Sequence, residues 1–117
     1  MRKIPPPQME PIRRGTTPTL RLDTPYPAEL IRGGYITFSQ RGSVLYEKKF
    51  DDEVVKVYDN LVSVELSQAE TLVLTPVDVC KIQMRFIFKH GKTASSGVYK
   101  IPVEDTLKGG EIYETSI

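Results

Sequence analysis

Groups that would carry chemistry are scarce in this chain of 117 residues. It has one histidine and one cysteine, whereas nucleophilic catalysis needs a nucleophile, a base and an orienting group held together. Cys80 and His90 lie on one extended run, about ten residues and roughly 33 Å apart along a strand, so they cannot meet. A lone cysteine makes no internal disulfide, so the fold does not depend on an oxidising compartment. There is no G-x-G-x-x-G, no phosphate loop and no Cys/His spacing that fits zinc. No apolar run approaches the ~20 residues of a membrane span. Met1-Arg2-Lys3 opens like a signal peptide, but Pro5-Pro6-Pro7 follows where an apolar run belongs. A soluble chain made in the cytoplasm is expected. Net charge is +1, without the basic excess of an electrostatic nucleic-acid binder. These absences point away from an enzyme, a metal or cofactor site, a small-molecule substrate, a membrane and nucleic acid.

What is present is β-pattern. From Val79 to Lys89 residues alternate, with Cys80, Ile82, Met84, Phe86 and Phe88 on one side and Lys81, Gln83, Arg85, Ile87 and Lys89 on the other. Such period-two alternation marks a strand with one face in a core and the other largely in water. His90-Gly91 then turns the chain, with glycine free to take positive φ, and Lys92 to Val103 returns as the second half of a hairpin. Cys80, on the apolar side, reads as a buried thiol that acts as a small hydrophobe.

Shorter segments repeat the pattern. Thr16 to Leu22 offers Leu20 and Leu22 to the core, and Pro18, lacking an N–H, puts this strand at a sheet edge. Tyr35 to Gln40 turns Ile36 and Phe38 inward, then Gln40-Arg41-Gly42-Ser43 leads into a hairpin partner over Val44 to Phe50. Val54 to Tyr58 and Leu61 to Leu66 follow, the latter with Val62, Val64 and Leu66 inward. Asp51-Asp52-Glu53 reads as a solvated turn, since three consecutive carboxylates do not converge and calcium loops need spaced ligands. Ser67-Gln68-Ala69-Glu70 has the form of a capping box for one short helical turn. Another short turn is expected at Ala28–Ile31. Leu72 and Leu74 should plug the end of the core.

The expected fold is all-β, a single Ig-like antiparallel β-sandwich of seven or eight strands with extended N- and C-terminal arms. Residues 1–15 read as a proline-rich arm, residues 16–104 as the sandwich and residues 105–117 as an acidic tail. The apolar share of 39% is modest but adequate for a small β fold. Phe86 is expected in the core with Ile36, Phe38, Val62, Val64, Ile82, Met84 and Ile101.

The ends differ in charge. Residues 1–22 carry five basic side chains against Glu10, and residues 104–117 carry Lys108 against four carboxylates. Pro5, Pro6, Pro7 and Pro11 favour an extended polyproline conformation that can become a fixed strap on a neighbour. Candidate assembly contacts are therefore Ile4, Met9, Ile12, Arg13 and Arg14 at one end, with Ile112 and Tyr113 at the other. Six tyrosines are more than a small core holds, and tyrosine is enriched at interfaces and sugar-binding faces.

Several stretches resemble a group of small phage and prophage proteins of Gram-positive bacteria. They are Arg13-Arg14-Gly15-Thr16-Thr17-Pro18-Thr19, Tyr35-Ile36-Thr37-Phe38-Ser39-Gln40, Leu66-Ser67-Gln68-Ala69-Glu70-Thr71-Leu72, Ile101-Pro102-Val103 and Leu107-Lys108-Gly109-Gly110. The likeness spans about residues 13–112 in order. It is similar in style to the N-terminal sandwich domain of phage baseplate upper proteins, and it brings no catalytic residues. The resemblance implies a structural component of a bacteriophage virion, in the tail or baseplate, whose partners are other virion proteins and copies of itself. The alternative is a small β-sandwich binding module for carbohydrate or host-surface recognition.

Overall fold

The protein is described as a computed structural model covering residues 10–114. In chain order its strands are β1 (Ile12–Arg13), β2 (Thr19–Asp23), β3 (Ile31–Gln40), β4 (Ser43–Lys49), β5 (Val55–Tyr58), β6 (Leu61–Glu65), β7 (Val79–Phe88), β8 (Thr93–Ser95) and β9 (Tyr99–Glu104). A 3-10 turn spans Ala28–Leu30, and one α-helix, α1 (Gln68–Val73), lies between β6 and β7. Among the described residues no helix is long and apolar enough to cross a membrane.

Two sheets pack as an all-β sandwich, as the alternating segments require. The larger sheet runs β1-β9-β7-β3-β4, with β8 beside β7, and the smaller runs β2-β6-β5. Strand β7 is the axis of the larger sheet. One side is paired with β3 from Ile31↔Phe88 to Ser39↔Lys81. The other side is shared between β9, at Val79–Ile82, and β8, at Arg85–Ile87. Strand β2 lies at the edge of the smaller sheet, where Pro18 just before it costs no ladder bond.

The inward phase is as read for the strands whose alternation gives one, β2, β3, β6 and β7. Cys80, Ile82, Met84, Phe86 and Phe88 are buried from β7, Ile36 and Phe38 from β3, Val62 and Val64 from β6, and Ile101 from β9. Each fully buried side chain of this size contributes roughly 1.5–3 kcal/mol relative to exposure. Tyr26 meets Phe86 and Phe88 edge-on, with centroids at 5.6 and 4.9 Å, and Phe50 meets Phe86 at 5.6 Å. The β3–β4 hairpin turns through Arg41 (φ 52) and Gly42 (φ 76). Positive φ at both central residues is what a two-residue hairpin loop needs to follow the twist of its strands.

Three readings need correction. The return run from Lys92 is not one strand, because Ser96 interrupts it. The buried Ser96 accepts from the Met84 N–H through its Oγ at 3.0 Å, while its own N–H donates to Met84 O at 2.9 Å. A side chain thus takes the place of a ladder partner and splits β8 from β9. Next, residues 12–15 are not part of a free arm. Strand β1 pairs parallel with β9, Ile12 with Val103 and Arg13 with Glu104, and Ile12 is fully buried. Beyond this two-residue strand the Arg14 N–H donates to Glu104 O at 3.0 Å. The sandwich is therefore antiparallel except at this pair. Finally, residues 105–112 are not a detached tail, because side-chain bonds tie them back to residues 14 and 68.

Candidate assembly surfaces

The helix α1 closes one end of the sandwich through paired polar groups. Glu70 N–H donates to Ser67 Oγ at 3.2 Å and Ser67 N–H to Glu70 Oε1 at 2.8 Å, completing the capping box. Glu70 Oε2 lies 2.7 Å from Nζ of Lys48, whose side chain is only 10% exposed, and Tyr46 donates its hydroxyl to Glu70 O. Burial pushes the Glu70 carboxyl up, but the Lys48 hydrogen bond and the Ser67 donors outweigh it and hold the carboxyl below its ordinary value. Gln40, also buried, brackets Thr75 by accepting from its N–H at 2.7 Å and donating to its carbonyl at 3.0 Å. These contacts fix α1 and the loop after it on β3 and β4.

The chain ends are tied to the same helix. Arg14 donates to Asp105 at 2.6 Å and to Leu72 O at 2.9 Å, and its buried Nε lacks a hydrogen-bond partner. Arg14 holds the Asp105 carboxyl below its ordinary range, helped by the Thr106 N–H. Buried Thr71 donates to Thr16 O and accepts from the Gly15 N–H, both at 3.0 Å. Gln68 grips Ile112 through both its amide atoms at 3.0 Å.

The candidate contacts therefore separate. Ile4 and Met9 lie outside the described residues. Ile12 is fully buried in the core, so it offers no surface for an assembly contact. Arg13 is exposed, 3.5 Å from Glu104 of the same chain, and Arg14 is engaged within the fold. Ile112 and Tyr113 keep more than half their surface open, at 56% and 59%.

Sequence reasoning missed their neighbours at this end. Val73 at the end of α1, Val77 in the next loop, Val79 opening β7 and Leu107 beyond β9 are all exposed. One end of the fold gathers them: Val77 N–H donates to Val103 O, Val79 pairs with Pro102, and Gln68 holds Ile112. Val77 is 96% exposed with φ 68. A β-branched residue rarely adopts that left-handed conformation, which costs roughly 1–2 kcal/mol. Only side-chain exposure after folding could have identified these residues, since each also reads as an ordinary strand or helix hydrophobe.

A second feature lies at the end away from α1. A depression of ≈ 560 Å³ crosses the outer face of the larger sheet and adjoins one of ≈ 470 Å³ that turns round the end of the sandwich to Ala28 and to Val57 of the smaller sheet; the two share Gly34, Tyr35 and Ile87. A Cβ on Gly34 would lie 2.3 Å from Arg85 O, so glycine lets β3 close on β7 here. Tyr35, 46% exposed, stands in the trough, with Glu47, Arg85 and Thr93 on one flank and Arg32, Lys49, Phe50 and Asp51 on the other.

The remaining tyrosines are dispersed. Tyr26 and Tyr46 pack on the core, Tyr99 donates its hydroxyl to Asp23 O, Tyr58 ends β5 and Tyr113 follows the α1-bound tail. Cys80 is buried in β7 with its thiol pushed up to about 11 by desolvation, which leaves it inert at neutral pH. Among the described residues no group of three or more His, Cys, Asp or Glu side chains is placed to hold a metal ion. No protein-family model, curated protein or solved structure matches this chain.

Proposed function

We propose that this chain is a non-enzymatic structural component of a bacteriophage virion, of its tail or baseplate, that works through protein–protein contacts. The observation that carries the reading is the apolar character of the end beside α1, where Val73, Val77, Val79, Leu107, Ile112 and Tyr113 are each exposed on a frame tied by Arg14 and Gln68. Large hydrophobes gathered at one end of a small domain mark an interaction site. A strained, almost fully exposed Val77 adds to this, because strain persists where function uses it. The likeness of residues 13–112 to small phage proteins supplies the virion context.

The tyrosines support assembly over carbohydrate recognition. They are divided among core, rim, trough and tail rather than gathered on one concave face.

The test is Val77→Asp and Leu107→Asp in the intact phage. Neither side chain is buried, and aspartate tolerates the left-handed conformation better than valine, so the isolated variants should be no less stable than the parent. Particles should lack the variant chain or carry it at reduced copy number by quantitative mass spectrometry. Normal incorporation of both variants would overturn the reading.

A further inference from the structure

The outer-face trough is a surface with an occupant available in the chain itself. We infer that it receives residues 1–9 of a second copy, with Ile4-Pro5-Pro6-Pro7 lying across Tyr35. This deepens the assembly reading and rests on it, naming the partner as another molecule of this protein.

The chemistry fits. Proline-rich segments dock in aromatic-lined grooves because their extended helix is formed before binding and little entropy is lost. Tyr35 supplies an exposed ring, Ile87 an apolar floor beside it, and Gly33 a bare stretch of backbone. Size agrees as well. From β4 to β8 the trough crosses three strand spacings, about 14 Å, and four residues of polyproline helix extend about 12 Å. The trough has basic groups on both flanks, so charge does not drive the contact. Asp51 lines the trough's end, with Asp52 and Glu53 exposed beyond it, and Arg2-Lys3 would fall there, which registers the segment end to end.

Reach decides between the chain's own trough and a neighbour's. Ile12 pairs with Val103, and Val79 with Pro102, so Ile12 lies level with Asp78, at the α1 end. Tyr35 is level with Arg85, about seven residues or ~23 Å further along β7, and it stands on β3, three strands to the side of β1. The direct path to it is roughly 27 Å even across a flat sheet. Pro5 to Pro7 precede Ile12 by about five to seven residues, which span only ~16–22 Å as polyproline helix. The three prolines fall short of their own trough, and only a second copy offers it.

Two measurements on the full-length protein test this. Sedimentation velocity across a concentration series should show self-association, weakened at least about tenfold in Tyr35→Ala, the loss of one aromatic anchor. Unlabelled peptide of residues 1–9, added to dilute isotope-labelled full-length chain, should shift the amides of Gly33, Tyr35, Ile87 and Thr93 saturably. Self-association unchanged in Tyr35→Ala would overturn the inference. So would peptide shifts confined to other strands, or a chain that stays monomeric while those amides ignore the peptide. Failure here leaves the incorporation test of Val77→Asp and Leu107→Asp independent, so the two readings fall separately.

Discussion

Phe86→Ala is the substitution whose cost follows most directly from the packing. The ring is 2% exposed near the C-terminal end of β7, with Tyr26 and Phe50 each packed edge-on at a centroid distance of 5.6 Å. Removing a buried phenyl ring from a close-packed core costs about 3–5 kcal/mol through lost transfer energy and the cavity left behind. Each edge-to-face pair adds about 0.5–1.5 kcal/mol beyond area alone. Both partners here are half-buried rim residues whose positions depend on the ring they lose. The cost should therefore fall in the upper half of that range. A domain of this size has about 5–15 kcal/mol in total, so the variant stays folded with little margin. With a urea slope near 1–3 kcal/mol/M, the unfolding midpoint should drop by roughly 2 M. Phe88→Ala is the control: Phe88 is 9% exposed and lies at the end of the same strand, so its midpoint should move clearly less. If Phe88→Ala costs as much as Phe86→Ala, the core is not centred where Tyr26 and Phe50 converge, and the packing argument fails.

Three further outcomes are expected. Removing residues 1–9 should leave the urea midpoint of the isolated protein nearly unchanged, whereas Ile12→Ala should cost about 2–5 kcal/mol as a core truncation. Gly34→Ala should cost about 1–3 kcal/mol, because its Cβ meets backbone at Arg85 rather than a side chain that can move; an unchanged thermal midpoint would show that β3 and β7 can separate there. Glu70, held below its ordinary value of 4.5, contributes stability that is complete above that value and lost as pH falls through the lowered one. Glu70→Gln should therefore flatten the stability–pH curve below about pH 5, and an identical acid limb in both proteins would refute the Lys48–Glu70 pairing.

The sandwich was legible because half-buried strands write their burial into every second residue. The alternate residues from Cys80 to Phe88 on β7, and Val62 and Val64 on β6, needed no tertiary information to be assigned inward. The capping box at Ser67 was legible for the same reason, since both its partners lie within one turn. The parallel β1–β9 pair was not, because it joins residues from opposite ends of the chain and rests on one buried side chain, Ile12. Proline density upstream made residues 12–15 look like more of the same arm. The break at Ser96 was hidden too, because a serine in a strand looks outward-facing until its hydroxyl is seen to replace a ladder partner of Met84. The exposed valines beside α1 have no signature of their own, since Val73 and Val79 fit helix and strand patterns that also occur in cores.

The parallel pairing of β1 has a consequence for how copies would meet. Had the first strand run antiparallel to β9, both chain ends would leave the sandwich together. Instead, residues before Ile12 point toward the start of β9, while residues after Glu104 run back to Gln68 at the α1 end. The chain thus enters β1 from the side opposite to the apolar end with Ile112 and Tyr113. On the proposed reading, a contact made by one copy's N-terminal segment on the outer face of the next joins two different surfaces. Such heterologous contacts leave each subunit with one donor and one acceptor site, so they close a ring where the rotation between copies permits and extend as a filament where it does not. A two-fold dimer satisfies both sites by reciprocal exchange of the segments. Each of these arrangements leaves the α1 end of every copy free for a second partner.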